Sequence, residues 1–162
     1  MTTVRPTGGW VIALSLLVAF LVSGIPLPGV LNRFQPDWVV MVLIYWCMAL
    51  PHRIGIGIGW LVGLLLDVAR GALLGQHALA LAVVVYLTLQ TYRRIRVAPL
   101  WQQAFSVLAL LTIERILVFW ISGVIGYPPR DWWYLAPAIG GMALWPLLFV
   151  ILRDVRRHFQ VS

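Results

Sequence analysis

The stretch from Gly55 to Gly75, GIGIGWLVGLLLDVARGALLG, decides how the chain folds. Gly55, Gly59, Gly63, Asp67, Gly71 and Gly75 fall at four-residue spacing, with Ile56, Ile58, Trp60, Leu61, Val62 and Leu64 to Leu66 between them. On a helix, positions i and i+4 share a face, so the pattern reads as a ridge without side chains, broken by one carboxylate. Such a ridge lets a second backbone approach closely, which is how helices associate in lipid, where apolar side chains gain little from leaving the solvent. The ridge is therefore expected to serve helix packing inside the protein or a partner interface. An acid within an apolar helix is costly and requires a partner, so Asp67 is a candidate functional residue.

Composition sets the surroundings of this helix. Of the 162 residues, 62% are hydrophobic and 10% charged, and the mean hydropathy is +0.93. A globular domain carries about 25% charged residues, so the chain reads as an integral membrane protein. All twelve basic residues are Arg, and the net charge is +7. In a membrane protein that excess belongs to loops facing the cytoplasm, and nucleic-acid binding is not expected. The lone Cys47 lies in an apolar run and reads as a small buried hydrophobe; neither a disulfide framework nor a metal cluster follows from it.

Working outward, six apolar runs are expected at 10–25, 36–50, 54–70, 72–92, 99–125 and 132–152, giving one all-α bundle of six transmembrane helices with no room for a soluble domain. A signal peptide is the competing reading of the first run. The second is short: about fifteen residues span roughly 22 Å, against a bilayer core of about 30 Å. It must thin the membrane, extend through its polar flanks or be covered by neighbours. Tyr127-Pro128-Pro129-Arg130-Asp131 is a turn-rich loop, and Pro137 and Pro146 are expected to kink the last run.

With both termini inside, the inner segments hold Arg5, Arg53, Arg93, Arg94, Arg96, Arg153, Arg156 and Arg157, eight arginines against Arg33, Arg70 and Arg130 outside. This asymmetry places the termini in the cytoplasm. Trp10, Trp38, Trp101, Trp132 and Trp133, at the starts of runs, suit interfacial belts. The clusters Arg93, Arg94, Arg96 and Arg153, Arg156, Arg157 orient the chain and touch anionic lipid headgroups; docking of an acidic cytoplasmic partner is the lesser reading.

Depth arithmetic groups the remaining polar residues. Counted from Ile54, Asp67 lies roughly 20 Å up its helix and Arg70 about 24 Å; counted from Pro99, Glu114 and Arg115 lie at roughly 22 and 24 Å. His77 enters the same layer from outside. A cross-helix cluster is expected, with Asp67 meeting Arg115 and Glu114 meeting Arg70 or His77. The competing arrangement has Arg70 snorkelling outward with Asp67 paired locally. A proton or ion relay through these carboxylates is the sharpest functional reading of the layer, and His77 by itself suits a packing role. The glycines at 55, 57 and 59 follow no strand and lead to no Lys-Ser/Thr, so they are not a phosphate loop. No His/Cys/acid group has metal spacing, and Ser15, Ser106 and Ser122 lack a His-plus-acid constellation. Catalysis and cofactors are not expected.

Several segments in order carry a family resemblance. They are the short head before Trp10, Gln35-Pro36-Asp37-Trp38, Tyr45-Trp46 through Ala49-Leu50-Pro51-His52-Arg53, Gly63-Leu64-Leu65-Leu66-Asp67 with Gly71 and Gly75, Leu100-Trp101-Gln102-Gln103, and Leu144-Trp145-Pro146 with the basic tail. Over nearly its whole length the chain resembles MreD, the rod shape-determining membrane protein family of bacteria, in its proteobacterial form. The resemblance implies a non-enzymatic part of the cell-elongation machinery in the inner membrane. It implies partnership with MreC, which has one membrane helix and a periplasmic domain, with RodA and its transpeptidase, and indirectly with MreB. It also implies a fold similar to the substrate-binding subunits of energy-coupling-factor transporters, whose central cavity would take a ligand or a partner helix. Two function classes follow: a scaffold binding partner membrane helices, and a small-molecule binding or transport subunit using a cavity lined by the Asp67 layer. Glu114-Arg115 matches no family pattern and rests on depth alone.

Overall fold

A computed structural model describes residues 8–127 and 132–161, with the backbone alone at Trp132. The head with Arg5 and the Pro128-Pro129-Arg130-Asp131 part of the expected loop lie outside the described residues. The chain is all-helical: α1 is Gly9–Ser23, α2 Trp38–Ala49, α3 Ile56–Arg70, α4 Gln76–Val97, α5 Leu100–Ile125 and α6 Ala136–His158, with 3₁₀ turns at Gly29–Phe34 and Trp132–Leu135. Among the described residues, two segments, Leu100–Ile125 and Trp133–His158, are long and apolar enough to cross a membrane by length and composition.

Helix α2 is the axis of the bundle. Every residue from Val39 to Met48 is buried, because α1, α4, α5 and α6 all pack around it. Of the ways a short run can be accommodated, the structure takes enclosure by neighbours. A helix covered on all sides needs no polar face, which is why WVVMVLIYWCMA shows no amphipathic period. The Trp46 indole N–H on α2 donates to Ser15 Oγ on α1 at 2.8 Å. Elsewhere Gln76 on α4 donates to Ser122 Oγ on α5 at 2.6 Å, and Trp145 on α6 to Gln103 Oε1 on α5 at 3.3 Å. Each pin pairs a polar atom that burial would otherwise leave unsatisfied.

The glycine ridge divides at Arg70. On α3, Gly59 and Gly63 face α4: a Cβ at Gly59 would lie 2.6 Å from Val85 Cγ2, and one at Gly63 would collide with the Ala78 backbone. These two positions are the close helix contact that the spacing implies. Gly55, Gly71 and Gly75 are not part of it, and a Cβ there would meet nothing within 4 Å. The helix ends at Arg70, so Gly71 (φ 64°) and Gly75 (φ 100°) are left-handed turn residues, the conformation for which glycine is preferred. For the same reason α4 begins at Gln76 rather than near residue 72, and it runs on through the arginines to Val97. A second glycine contact lies at Gly140 and Gly141 of α6, which abut Phe34 O and the Leu111 side chain. Pro137 occupies the first turn of α6, where its missing N–H costs nothing, so only Pro146 lies inside the helix.

Both described ends of the chain meet at one end of the bundle. Trp10 packs edge-on against Phe159 with ring centroids 5.1 Å apart, and Gly9 lies beside Arg53. The C-termini of α1, α3 and α5 and the N-termini of α2, α4 and α6 form the opposite end, which carries the polar layer.

Candidate functional site

The site begins where α3 hands over to α4. Gly75 precedes α4 without a side chain to cap it, and Asp67 supplies the cap from the preceding helix. Its Oδ2 accepts the Gly75 N–H at 2.9 Å and the Ala78 N–H at 3.4 Å, and its Oδ1 accepts the His77 N–H at 2.8 Å. The helix dipole adds to this, since an N-terminus attracts negative charge. His77 Nδ1 also lies 2.8 Å from Asp67 Oδ1. With Nδ1–H donating there, Nε2 is free to accept from Arg70 Nη1 at 3.2 Å, so one neutral tautomer satisfies both contacts. Asp67 is fully buried.

Asp37 is the centre of the second half. It precedes α2 without capping it, and its carboxylate bridges two helices instead. Oδ1 accepts from Arg70 Nη2 of α3 at 2.7 Å and Oδ2 from Arg115 Nη2 of α5 at 2.8 Å. Arg115 lies over the Tyr134 ring, 5.2 Å from its centroid, and Glu114 Oε2 stands 3.9 Å from Arg115 Nε, beyond hydrogen-bond reach. The result is a chain Asp67–His77–Arg70–Asp37–Arg115–Glu114 linking the start of α2, the end of α3, the start of α4 and the middle of α5.

The layer is thus assembled, with different pairings. Asp67 meets His77 and backbone N–H groups, not Arg115, and neither Arg70 nor His77 pairs with Glu114. Arg70 does not pair with Asp67 along its own helix either; it reaches Asp37. The residue absent from the expected cluster is Asp37, which the sequence reading names only within Gln35-Pro36-Asp37-Trp38. Its signal was available: it stands at the outer start of the second run, level with Arg70 and Arg115. As a proton path the chain is broken twice, because a guanidinium does not give up its proton in a protein. Among the described residues there is no group of His, Cys, Asp and Glu able to hold a metal ion.

Two cavities adjoin this framework. At the polar end, one of about 290 Å³ is lined by Ser23, Asn32, Gln35, Asp37, Arg70 and Arg115; Asp67 is not among its walls. The other, about 490 Å³, is an apolar groove between α1, α2 and α6 that includes Val11, Leu14, Val18, Val42, Leu148 and Ile151. The arginine clusters stay apart from both. Arg93 and Arg96 lie over Tyr92 at 5.9 and 5.8 Å, and Arg153 is 3.8 Å from Asp154, all near the end of the bundle that holds the chain termini.

Comparison with known proteins gives this arrangement a family. A family model described as rod shape-determining protein MreD matches residues 4–155. The rod shape-determining protein MreD of Haemophilus influenzae is 34% identical over 153 residues, covering 94% of each chain. No solved structure matches, so the likeness to energy-coupling-factor subunits remains an expectation from resemblance. With a match over nearly its whole length, the chain belongs to the MreD family of rod shape-determining proteins.

Proposed function

We propose that the protein is a non-catalytic, multi-pass scaffold of the bacterial inner membrane, with both termini cytoplasmic, that maintains rod shape by holding partner membrane helices for lateral peptidoglycan synthesis. Family membership supports the role in shape determination. The observation that carries the scaffold reading is the apolar groove beside α1. Its lining runs from Trp10 to Val22, about 18 Å along the helix, which is long enough to seat the side of one apolar helix. Leu14 and Val18 are half exposed along it. The glycines at 59 and 63 are consumed inside the bundle, so the partner surface moves from the glycine ridge to this groove. We assign it to the single membrane helix of MreC, with RodA and its transpeptidase joined through that complex and MreB indirectly. The arginines at the termini end hold anionic lipid at the cytoplasmic face.

The transport alternative has less support. The Asp67 oxygens are occupied by α4 and His77, and the expected carboxylate does not line the polar cavity. Co-purification of the full-length protein with its single-span partner tests the scaffold reading. Val18→Trp, which fills the groove, is expected to abolish recovery of the partner, whereas Leu65→Trp, on an exposed part of α3 outside the groove, retains it. Full recovery with folded Val18→Trp would rule out the groove.

A further inference from the structure

We propose that the polar cavity between Ser23, Asn32, Asp37, Arg70 and Arg115 binds a phosphate-type oxyanion, either the headgroup phosphate of an anionic phospholipid or the free ion. The walls of the cavity hold more hydrogen-bond donors than they use. Two guanidiniums, each with five N–H groups, share the single carboxylate of Asp37. Arg115 Nε and Ser23 Oγ are buried and have no hydrogen-bond partner among the described residues. Asn32 accepts the Leu27 N–H through its Oδ1 at 3.3 Å, which leaves its amide NH₂ as a further donor. Buried donors without acceptors are unfavourable, and an oxyanion supplies several acceptors together with the charge that a forked guanidinium recognises.

The charge balance points the same way. Among the lining residues, two arginines face one aspartate. Glu114 lies outside the lining and, at 3.9 Å from Arg115 Nε, takes no hydrogen bond from it. Position favours the lipid source. The cavity lies between the ends of α1 and α3 and the starts of α2 and α6, the side from which a headgroup would enter, and Arg70 keeps about a third of its side chain exposed. Next to Ser23 on the chain, Leu21 and Ile25 are exposed apolar residues outside the groove, suited to contact with the acyl chains of the same lipid.

Native mass spectrometry of the full-length protein, stripped of lipid in a neutral detergent, tests this by separate titration with phosphatidylglycerol and with inorganic phosphate. Three variants accompany the wild type. Arg115→Gln removes a guanidinium, and Ser23→Leu fills the cavity without touching the ion cluster, so the test stands even if the first variant fails to fold. Gln102→Ala changes an exposed polar residue at the opposite end. A tightly held phosphatidylglycerol adduct, weakened about tenfold or more by the two cavity variants and unaltered by Gln102→Ala, supports the headgroup as ligand. The same pattern with phosphate but not with lipid supports the free ion. Equal adducts in all four proteins, or none on folded wild type, would overturn the proposal.

Discussion

The two ends of the bundle treat charge in opposite ways. At the end away from the termini, Asp67, His77, Arg70, Asp37, Arg115 and Glu114 form one connected group, with Asp37 buried and shared between two helices. At the termini end, Arg93, Arg94 and Arg96 are exposed, and the Arg93 and Arg96 side chains lie over the ring of neighbouring Tyr92 on the same helix. The first set is fixed architecture, since a charge removed from water is tolerated only with its partners in place. The second is solvated and free to meet lipid headgroups or a partner. Sequence alone would rank both as clusters of charge; burial separates them.

The sharpest way to break this contrast is Asp37→Ala, which strands two guanidiniums and is expected to cost about 3–5 kcal/mol, read as a large fall in thermal midpoint of the detergent-solubilised protein. Arg115→Met should cost less, because Asp37 keeps Arg70, and Arg70→Met least of the three, since that side chain is the most exposed. Asp67→Ala removes the cap of α4 and the His77 contact, and about 2–3 kcal/mol is expected, with faster amide exchange at residues 75–78 as its local signature. Between the ends, Gly59→Ala presses on Val85 and should cost about 1–2 kcal/mol. Gly57→Ala, with open space at its Cβ, should be neutral or stabilising by up to about 1 kcal/mol. Arg94→Gln should change stability by less than about 0.5 kcal/mol, and an effect as large as that of Asp67→Ala would erase the distinction between the two ends.

Much of the helix order was legible, for identifiable reasons. The runs expected at 36–50 and 99–125 are helices that begin at Trp38 and Leu100, and the depth count grouped Asp67, Arg70, His77, Glu114 and Arg115, which the structure brings near one another. The pairings were not legible, because Arg115 meets Asp37 across 78 positions of chain, and such a contact depends on which helices become neighbours. One local signal misled: glycines at fixed spacing read as one ridge, although positive φ at Gly71 and Gly75 makes them turn residues. Trp46 and Trp145, which are not among the five tryptophans assigned to interfacial belts, are fully buried and pin helices through their N–H groups. The short second run was ambiguous by length alone, and only its enclosure by α1, α4, α5 and α6 resolves it.

The central claim is that the groove beside α1, not the glycine ridge, receives the partner helix. Site-specific photo-crosslinking in growing cells tests it most directly, with the crosslinker placed at Leu14 in the groove or at Leu65 on the exposed side of α3. The account predicts an adduct with the single-span partner from position 14 and none from position 65. An adduct from 65 with none from 14 would contradict it.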